Sequence, residues 1–205
     1  MLITGFATGT TEANCYLVAQ RPGAGAIVID PGEQAVPTLE YYFAVNELSP
    51  EAVLLTHGHV GHSASASELC DGWNIPVYVH PADRALLADP VYGEPDLVAE
   101  LTDGAELNLA GIRVWVDHTP GHTDGSVTFR MNADTEEGRV DVVFTGDTLL
   151  CRRVGSAADP ARLLESVRDK LLVLDDDTVM LPGHGTSSTI GAERRFNSTL
   201  KDLTA

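Results

Sequence analysis

The sequence is poor in basic residues and in long apolar runs, and each shortage excludes a class of protein. Its 205 residues include 13 Lys and Arg against 30 Asp and Glu, which gives a formal net charge of −17. Binding to a phosphate backbone depends on clustered cations, so nucleic acid is not an expected partner. The same charge argues against anionic membrane surfaces. No apolar run approaches the roughly 18 residues that a membrane-spanning helix needs.

Cysteines are also few. Cys15, Cys70 and Cys151 are the only three, they are widely spaced, and they form no CxxC pair. An odd number without such a pair excludes a disulfide scaffold and favours reduced thiols. Residues 1–6 lack the basic start and the long apolar segment of a secretory signal peptide. We therefore expect a cytoplasmic protein.

The composition, 43% apolar and 21% charged residues, is typical of a globular domain. Short apolar runs between turns predict eight strands, at residues 14–19, 26–30, 51–56, 76–80, 112–117, 126–131, 140–145 and 178–181. Helices are predicted over residues 37–46, 63–70 and 191–203. Another begins at Pro160, which follows Asp159 at a helix N-cap position. This mixture of elements indicates an α/β protein with mixed sheets.

The histidines are clustered in the sequence rather than scattered. Three of the seven fall within six residues, at His57, His59 and His62, where an apolar strand ends in a tight loop. His122 and His184 each follow a glycine in a Pro-Gly-His tripeptide. Neutral imidazoles bind zinc, iron or manganese through one ring nitrogen, and the other nitrogen normally needs an acceptor. The pattern predicts a metal site.

Three further segments each place one candidate ligand at the end of a predicted strand. They carry His122, Asp147 and His184 within residues 119–123, 144–148 and 181–185. In each segment a glycine, which has no side chain, lets the backbone approach neighbouring residues closely. Dispersed loops on a rigid scaffold are how open catalytic metal sites are built, so we expect these side chains to converge.

Together these segments resemble the metallo-β-lactamase superfamily, whose hallmark reads T-H-x-H-x-D-H, and within it the short glyoxalase II-like hydrolases. The resemblance covers nearly the whole chain and implies a single domain over residues 1–205, folded as a four-layer αβ/βα sandwich with two metals between the sheets. It implies six ligands: His57, His59 and His122 for the first metal, His62 and His184 for the second, and Asp147 as the bridge. It also implies catalytic roles for Asp147 and His184.

Two departures from the family pattern bear on activity. The pattern has Asp at position 61, as a ligand of the second metal, and this chain has Gly61. The second site therefore keeps at most His62, His184 and Asp147. Residues 151–159 also replace the Gly-Arg-x-Asp stretch that lines the pocket in the family. We expect zinc, firmly bound at the first site and weakened at the second, with Fe²⁺ as the alternative metal.

Several residues near these motifs have two interpretations each. Asp30 is expected to accept a hydrogen bond from backbone or imidazole rather than to bind metal. Asp124 or Cys151 would be a replacement for the missing carboxylate, but a solvated turn residue and a pocket-lining or buried thiol are the favoured interpretations. Arg152 and Arg153 either hold a substrate carboxylate or are solvated loop charges.

The leading hypothesis is a zinc-dependent hydrolase of S-2-hydroxyacyl thioesters, such as S-lactoylglutathione. A metal lowers the pKa of bound water toward neutrality, and a thiolate leaves without a strong general acid. The expected partner is this small-molecule thioester, and the oligomeric state stays open.

Two other functions are weighed against this hypothesis. Persulfide dioxygenases resemble glyoxalase II in these motifs and use one non-haem iron. His57, His122 and Asp147 would form the two-histidine, one-carboxylate ligand set that such an iron favours. The other alternative is a family member whose catalysis is degraded by Gly61. A β-lactamase is less favoured because no export signal is seen, and a nuclease is disfavoured by the charge.

We predict no measurable affinity for DNA or RNA at physiological salt, because 13 basic residues face 30 acidic ones and counterion release needs clustered cations. Fluorescence anisotropy of a labelled single-stranded RNA, titrated with the protein, checks this. Salt-sensitive binding at micromolar protein would contradict the prediction.

Overall fold

Two six-stranded sheets form the centre of the molecule. The structure is a computed structural model, and it describes residues 1–135 and 138–203. The strands of the first sheet follow one another in space as they do in the chain: β1 Leu2–Thr8, β2 Ala13–Ala19, β3 Gly25–Ile29, β4 Ser49–Leu54, β5 Val77–Val79 and β6 Val98–Glu100. The first three are antiparallel, and from β3 to β6 the pairing is parallel.

The second sheet is built from the second half of the chain. Its strands, with a separate small hairpin of β11 and β12, are β7 Glu106–Leu109, β8 Ile112–His118, β9 Val127–Thr135, β10 Gly138–Gly146, β11 Leu149–Leu150, β12 Arg153–Val154, β13 Val179–Pro182 and β14 Ser188–Thr189. The spatial order in the sheet is β14-β13-β10-β9-β8-β7. All pairs are antiparallel except β10 with β13.

Helices cover the outer faces of both sheets. The α-helices are α1 Val36–Asn46, α2 Val60–Ser63, α3 Ala66–Trp73, α4 Pro160–Ser166 and α5 Ile190–Phe196. Two 3₁₀ segments, Pro81–Leu87 and Ser198–Leu203, and one π turn, Val167–Leu171, complete the helical part. In the described ranges no helix has both the length and the apolar composition to span a bilayer.

Three apolar layers separate the four layers of secondary structure. In β2, Tyr16 and Val18 face the second sheet, whereas Cys15 and Leu17 face α1 and α3. This alternation is the two-residue period of a strand that is buried on both faces. A third apolar cluster packs Val143 of β10 against α4, α5 and their extensions. The expected four-layer αβ/βα sandwich is confirmed.

All eight strands predicted from the sequence are present, with ends that differ by a few residues. The sequence analysis missed six strands, β1, β6, β7, β11, β12 and β14, most of which are short or lie at sheet edges. The helix predicted from Pro160 is confirmed as α4. The Asp159 carboxylate caps it by accepting a hydrogen bond from the Arg162 amide at 3.1 Å.

Two predicted helices are wrong in their extent. The helix expected over residues 63–70 is divided between two helices, α2 and α3. The break lies next to Ser65, which forms hydrogen bonds with another loop. Its amide and its hydroxyl donate to the Pro31 and Gly32 carbonyls at 3.0 and 2.7 Å. The helix expected over residues 191–203 ends at Phe196, because Asn197 is extended and its side chain bonds Glu193 and the Thr199 amide.

The candidate ligands lie at one end of the sandwich because five strands end there. The loops that follow β3, β4, β8, β10 and β13 begin at or contain, in that order, Asp30, His57, His122, Asp147 and His184. Since rigid strands fix where each loop starts, residues far apart in sequence reach one place.

Candidate metal centre

Three imidazoles converge at the end of the second-sheet strand β8 and the first-sheet strand β4. The His122 Nε2 atom lies 3.0 Å from His59 Nδ1 and 3.2 Å from His57 Nε2. Zinc–nitrogen bonds of about 2.0–2.1 Å in a tetrahedral site place ligand nitrogens about 3.3 Å apart. We name His57, His59 and His122 the first cluster, and its spacing fits one divalent ion.

His62, Asp147 and His184 form a second cluster beside the first. The Nε2 atoms of His62 and His184 are 3.3 Å apart. The two Asp147 oxygens lie 3.6 Å from His62 Nε2 and 3.5 Å from His184 Nε2. The ligand atoms of each cluster are within 4.8 Å of one another, so the six residues that the sequence analysis singled out are brought together.

Asp147 stands between the two clusters. Its Oδ2 atom lies 3.7 Å from His122 Nε2 of the first cluster as well as 3.5 Å from His184 Nε2 of the second. Its Oδ1 atom is buried and has no hydrogen-bond partner in the described part of the chain. A buried carboxylate oxygen without a donor is costly unless a cation neutralises it. The donor set therefore fits a divalent metal, which Asp147 would help to hold.

Hydrogen bonds outside the first cluster fix which nitrogen of His57 carries the proton. The Thr56 hydroxyl donates to Asp30 Oδ2 at 2.6 Å. Since its hydrogen is used, the Thr56 oxygen accepts from His57 Nδ1, at 3.1 Å. The proton of neutral His57 is then on Nδ1, which leaves the Nε2 lone pair for a metal.

Three more histidines are held in the same way. Their Nδ1 atoms each have an oxygen acceptor: Asp30 Oδ2 for His62 at 3.0 Å, the Ser156 carbonyl for His122 at 2.5 Å, and the Glu12 carbonyl for His184 at 3.3 Å. His59 is the exception, since its Nδ1 faces the cluster. Four of the five imidazoles thus present a deprotonated Nε2 to the clusters.

The electrostatics favour neutral ligands in the first cluster. Burial lowers the pKa of His57 well below its usual value, and four neighbouring imidazoles lower it further. Burial and His122 also lower the pKa of His59. Burial opposes protonation of His62, but the hydrogen bond and the charge of Asp30 outweigh it and raise its pKa. Metal binding needs neutral imidazole, so the first cluster is the better prepared of the two.

Asp30 supports the ligands rather than joining them. Its oxygens lie within ligand distance of His57 and His62, but they already accept from the Thr56 amide at 2.8 Å, the Thr56 hydroxyl and His62 Nδ1. His62 therefore contacts Asp30 through Nδ1 and faces His184 with Nε2. This agrees with the expectation that Asp30 accepts hydrogen bonds near the site.

The sequence analysis missed Asp83, which ties the two loops of the first cluster together. The side chain is buried, and its oxygens accept from the Gly58 amide at 2.9 Å, the Thr123 hydroxyl at 2.7 Å and the Gly125 amide at 2.8 Å. Gly58 lies between His57 and His59, and Thr123 follows His122. The only signal in the sequence is an acidic residue shortly after the predicted strand 76–80.

Gly183 shows why the Pro-Gly-His tripeptide needs its glycine. A Cβ atom at this position would overlap Asp147 Oδ1 and lie 2.9 Å from His62 Cε1. Because glycine has no side chain, the backbone before His184 approaches both residues of the second cluster. The close approach expected from the sequence is therefore present.

No replacement for the missing carboxylate is found among the described Asp, Glu, Cys and His residues. Asp124 is exposed and pairs with Arg162 at 3.2 Å, and neither Asp124 nor Cys151 is part of a converging ligand group. A Cβ atom at Gly61 would instead meet the Thr11 hydroxyl at 3.0 Å. The interpretation of Asp124 as a solvated turn residue agrees with its exposure, and the Cys151 thiol is half-buried and free.

Comparison with known proteins shows the family of the chain. Residues 8–184 match the family model of the Metallo-beta-lactamase superfamily, and the chain belongs to that family. It is 31% identical to the hydroxyacylglutathione hydrolase GloC of Haemophilus influenzae, over 92% of this chain and 93% of that protein.

Two solved structures extend the comparison. TTHA1623, solved in a di-iron-bound form, is 35% identical with a TM-score of 0.79, over 96% of this chain and 100% of that one. The B3 metallo-β-lactamase BLEG-1 is 30% identical with a TM-score of 0.83, over 98% and 100% of the two chains. The chain thus has the metallo-β-lactamase fold, and its His and Asp cluster is that of a divalent-metal hydrolase family.

Replacing Asp83 should weaken the first cluster without touching a ligand. In Asp83→Asn one oxygen becomes an amide donor, so the variant cannot accept from all three donors. We expect metal affinity to fall about 10- to 100-fold, as for other changes behind metal ligands. Competition with a chromophoric chelator measures this, with Glu106→Gln, on an exposed strand far from the clusters, as the control. Unchanged metal affinity in Asp83→Asn would show that the hydrogen bonds of Asp83 are not needed to hold the first cluster.

Gly61→Asp should raise the metal content of the purified protein from near one toward two per chain. The new carboxylate adds an anionic ligand beside the second cluster, and the exposed Thr11 side chain can shift to make room. Gly72→Asp is the matched control, because a Cβ atom there meets nothing within 4 Å. Two full equivalents of metal in the unaltered protein, or no gain in Gly61→Asp alone, would contradict this prediction.

Proposed function

We propose that the protein is a zinc-dependent hydrolase of S-2-hydroxyacyl thioesters. The observation that carries the proposal is the first cluster, in which His122 Nε2 lies 3.0 Å from His59 Nδ1 and 3.2 Å from His57 Nε2, beside the unpartnered Oδ1 of Asp147. Similarity to a hydroxyacylglutathione hydrolase over nearly the full length of both chains supports the choice of substrate class.

In this proposal His57, His59, His122 and Asp147 hold zinc firmly. His62, His184 and Asp147 form a second position that binds more weakly, because Gly61 supplies no side chain. A divalent ion held in this centre supplies a Lewis acid for the thioester carbonyl and makes water an effective nucleophile near neutral pH. Zinc prefers nitrogen-rich, four-coordinate sites, which is what the first cluster and Asp147 offer.

Asp147 and His184 are the proposed catalytic residues. The Asp147 Oδ1 atom is buried and unsatisfied, so it is placed to accept a hydrogen bond from the attacking water and to orient it. The His184 side chain is 24% exposed, whereas that of His62 is 3% exposed. His184 is therefore the more accessible of the two histidines of the second cluster.

The shortage of proton donors at the site favours a thioester substrate over an amide. With a metal held in the clusters, four imidazoles would have one ring nitrogen on the metal side and the other hydrogen-bonded to an oxygen, so they would offer no free N–H to a leaving group. A thiolate, whose parent thiol has a pKa of about 8.5, leaves without protonation far more readily than an amine does. The chain's own side chains thus suit an activated acyl group with a good leaving group.

The proposal includes the setting in which the protein works. A single domain would act on a small-molecule thioester in the cytoplasm, with no nucleic-acid or membrane partner. The three cysteines support a reducing compartment, since all are free in the structure and Cys15 and Cys70 are buried.

A mononuclear iron persulfide dioxygenase is the alternative function. His57, His122 and Asp147 offer two imidazoles and a carboxylate, and the similar chain TTHA1623 was solved with two irons. The position of His59 argues against this alternative, because its Nδ1 lies 3.0 Å from His122 Nε2 and occupies the face that such a centre leaves open.

Metal removal tests the proposal. Chelator-treated protein should lose hydrolysis of S-lactoylglutathione, and zinc should restore it. His122→Ala should lose more than the 10- to 100-fold typical of changes behind a ligand and should not recover with zinc. His118→Gln, a histidine outside both clusters, is the control.

Thioesterase activity that survives in metal-free protein would refute a metal-dependent mechanism. Oxygen uptake with glutathione persulfide, supported by iron and not by zinc, would establish the dioxygenase instead. Turnover of a cephalosporin without thioester hydrolysis would likewise reject the proposed substrate.

A further inference from the structure

The few cations of this acidic chain are almost all engaged. In the described ranges ten of the 13 Lys and Arg side chains form ion pairs with a carboxylate. Arg21 donates to a backbone carbonyl, and Lys201 has a contact of its own. Arg153 alone has neither an ion pair nor a side-chain hydrogen bond with any described residue, and it is exposed.

Arg153 begins the short strand β12, and its side chain is exposed. The next residue, Val154, packs against the apolar cluster of α4 and β10. Because successive side chains of a strand lie on opposite faces, the Arg153 side chain lies on the face opposite to Val154. Its guanidinium is therefore available to a ligand.

The residues that follow Arg153 touch the clusters directly. Gly155 packs so closely on Asp147 that a Cβ atom would overlap the Asp147 carbonyl oxygen. The Ser156 carbonyl accepts from His122 Nδ1 at 2.5 Å. Three residues of extended chain span at most about 10–11 Å, so Arg153 is tethered within the length of a small thioester from the metal ligands.

Contacts separate the roles of Arg152 and Arg153, which the sequence left undecided. Arg152 has a left-handed φ of 65°, and its amide donates to the buried Glu193 carboxylate at 2.8 Å. Its guanidinium bonds the Ala192 carbonyl at 2.8 Å and lies 4.8 Å from the Phe196 ring centre. Arg152 thus fixes the tip of the β11–β12 hairpin on α5, and Arg153 is left uncommitted.

We propose that Arg153 binds a carboxylate of the substrate and gives the site its preference for anionic thioesters. This inference rests on the proposed thioester hydrolysis. A guanidinium pairs with a carboxylate through two parallel hydrogen bonds, which gives orientation as well as attraction. In a chain of net charge −17, an unpaired cation tethered three residues from the Ser156 contact with His122 would attract a negatively charged substrate.

Three thioesters test the proposal and show where the carboxylate lies. S-lactoylglutathione has carboxylates on the thiol carrier, S-succinyl-N-acetylcysteamine has one on the acyl group, and S-lactoyl-N-acetylcysteamine has none. For Arg153→Gln we expect KM to rise about tenfold for one or both anionic thioesters, with kcat within about twofold and the neutral thioester unaffected. Arg153→Lys should recover part of the loss.

Arg113→Gln is the matched control, since Arg113 is an exposed arginine on β8 that stacks on Trp115 and lies far from the clusters. An equal change for all three thioesters in Arg153→Gln, or no change for any, would overturn the proposal. A loss in Arg113→Gln of the same size as in Arg153→Gln would overturn it too, because the effect would then be one of net charge.

Equilibrium binding separates this inference from the proposed function. S-methylglutathione and the S-carboxypropyl thioether of N-acetylcysteamine have the same carboxylates and cannot be hydrolysed. Calorimetric titration should show about tenfold weaker binding of at least one of them to Arg153→Gln than to the unaltered protein. If no thioester is hydrolysed, the proposed function fails while this loss still supports the anion site. Equal binding of both thioethers to the two proteins would reject it.

Discussion

The hydrogen bond on the far side of each imidazole is the constraint on which the site depends. His122 Nε2 lies 3.0 Å from His59 Nδ1 and 3.2 Å from His57 Nε2, and the three nitrogens can bind one metal only if none of them has its proton in the cluster. Thr56, Asp30 and the Ser156 carbonyl hold the protons of His57, His62 and His122 on the outer nitrogens. Asp30 and Thr56 follow strands of the first sheet and Ser156 follows the β11–β12 hairpin, so the tautomers depend on contacts between separate loops.

The two sheets cooperate through buried carboxylates as well as through the apolar core. Asp30 joins the β3 and β4 loops of the first sheet, and Asp83 joins the histidine loop to the β8 loop of the second. Asp147, at the end of β10, then faces ligands from both. A buried carboxylate with three donors is rigid, which holds loops in place that would otherwise move independently. Precision at the centre is therefore a property of contacts between loops.

The fold class and the six candidate ligands could be predicted from sequence because their signals are local. Apolar runs mark the central strands, and a glycine before each of His122 and His184 marks a close approach. Asp83 could not be predicted, because its partners lie 25 to 42 residues away in the chain. The break between α2 and α3 depends in the same way on Ser65 reaching back to the loop after β3. The edge strand β6 has only three residues, none of them buried, so its sequence shows no strand period.

The claim that unites these observations is that His57, His59 and His122 hold one divalent ion with their Nε2, Nδ1 and Nε2 atoms. Anomalous diffraction from crystals of protein purified without added metal, recorded on either side of the zinc edge, tests it most directly. The account predicts a strong peak about 2.0–2.1 Å from those three nitrogens, with Asp147 as a further ligand and a weaker peak or none between His62 and His184. A site filled only between His62 and His184, or His59 turned away from the metal, would contradict it.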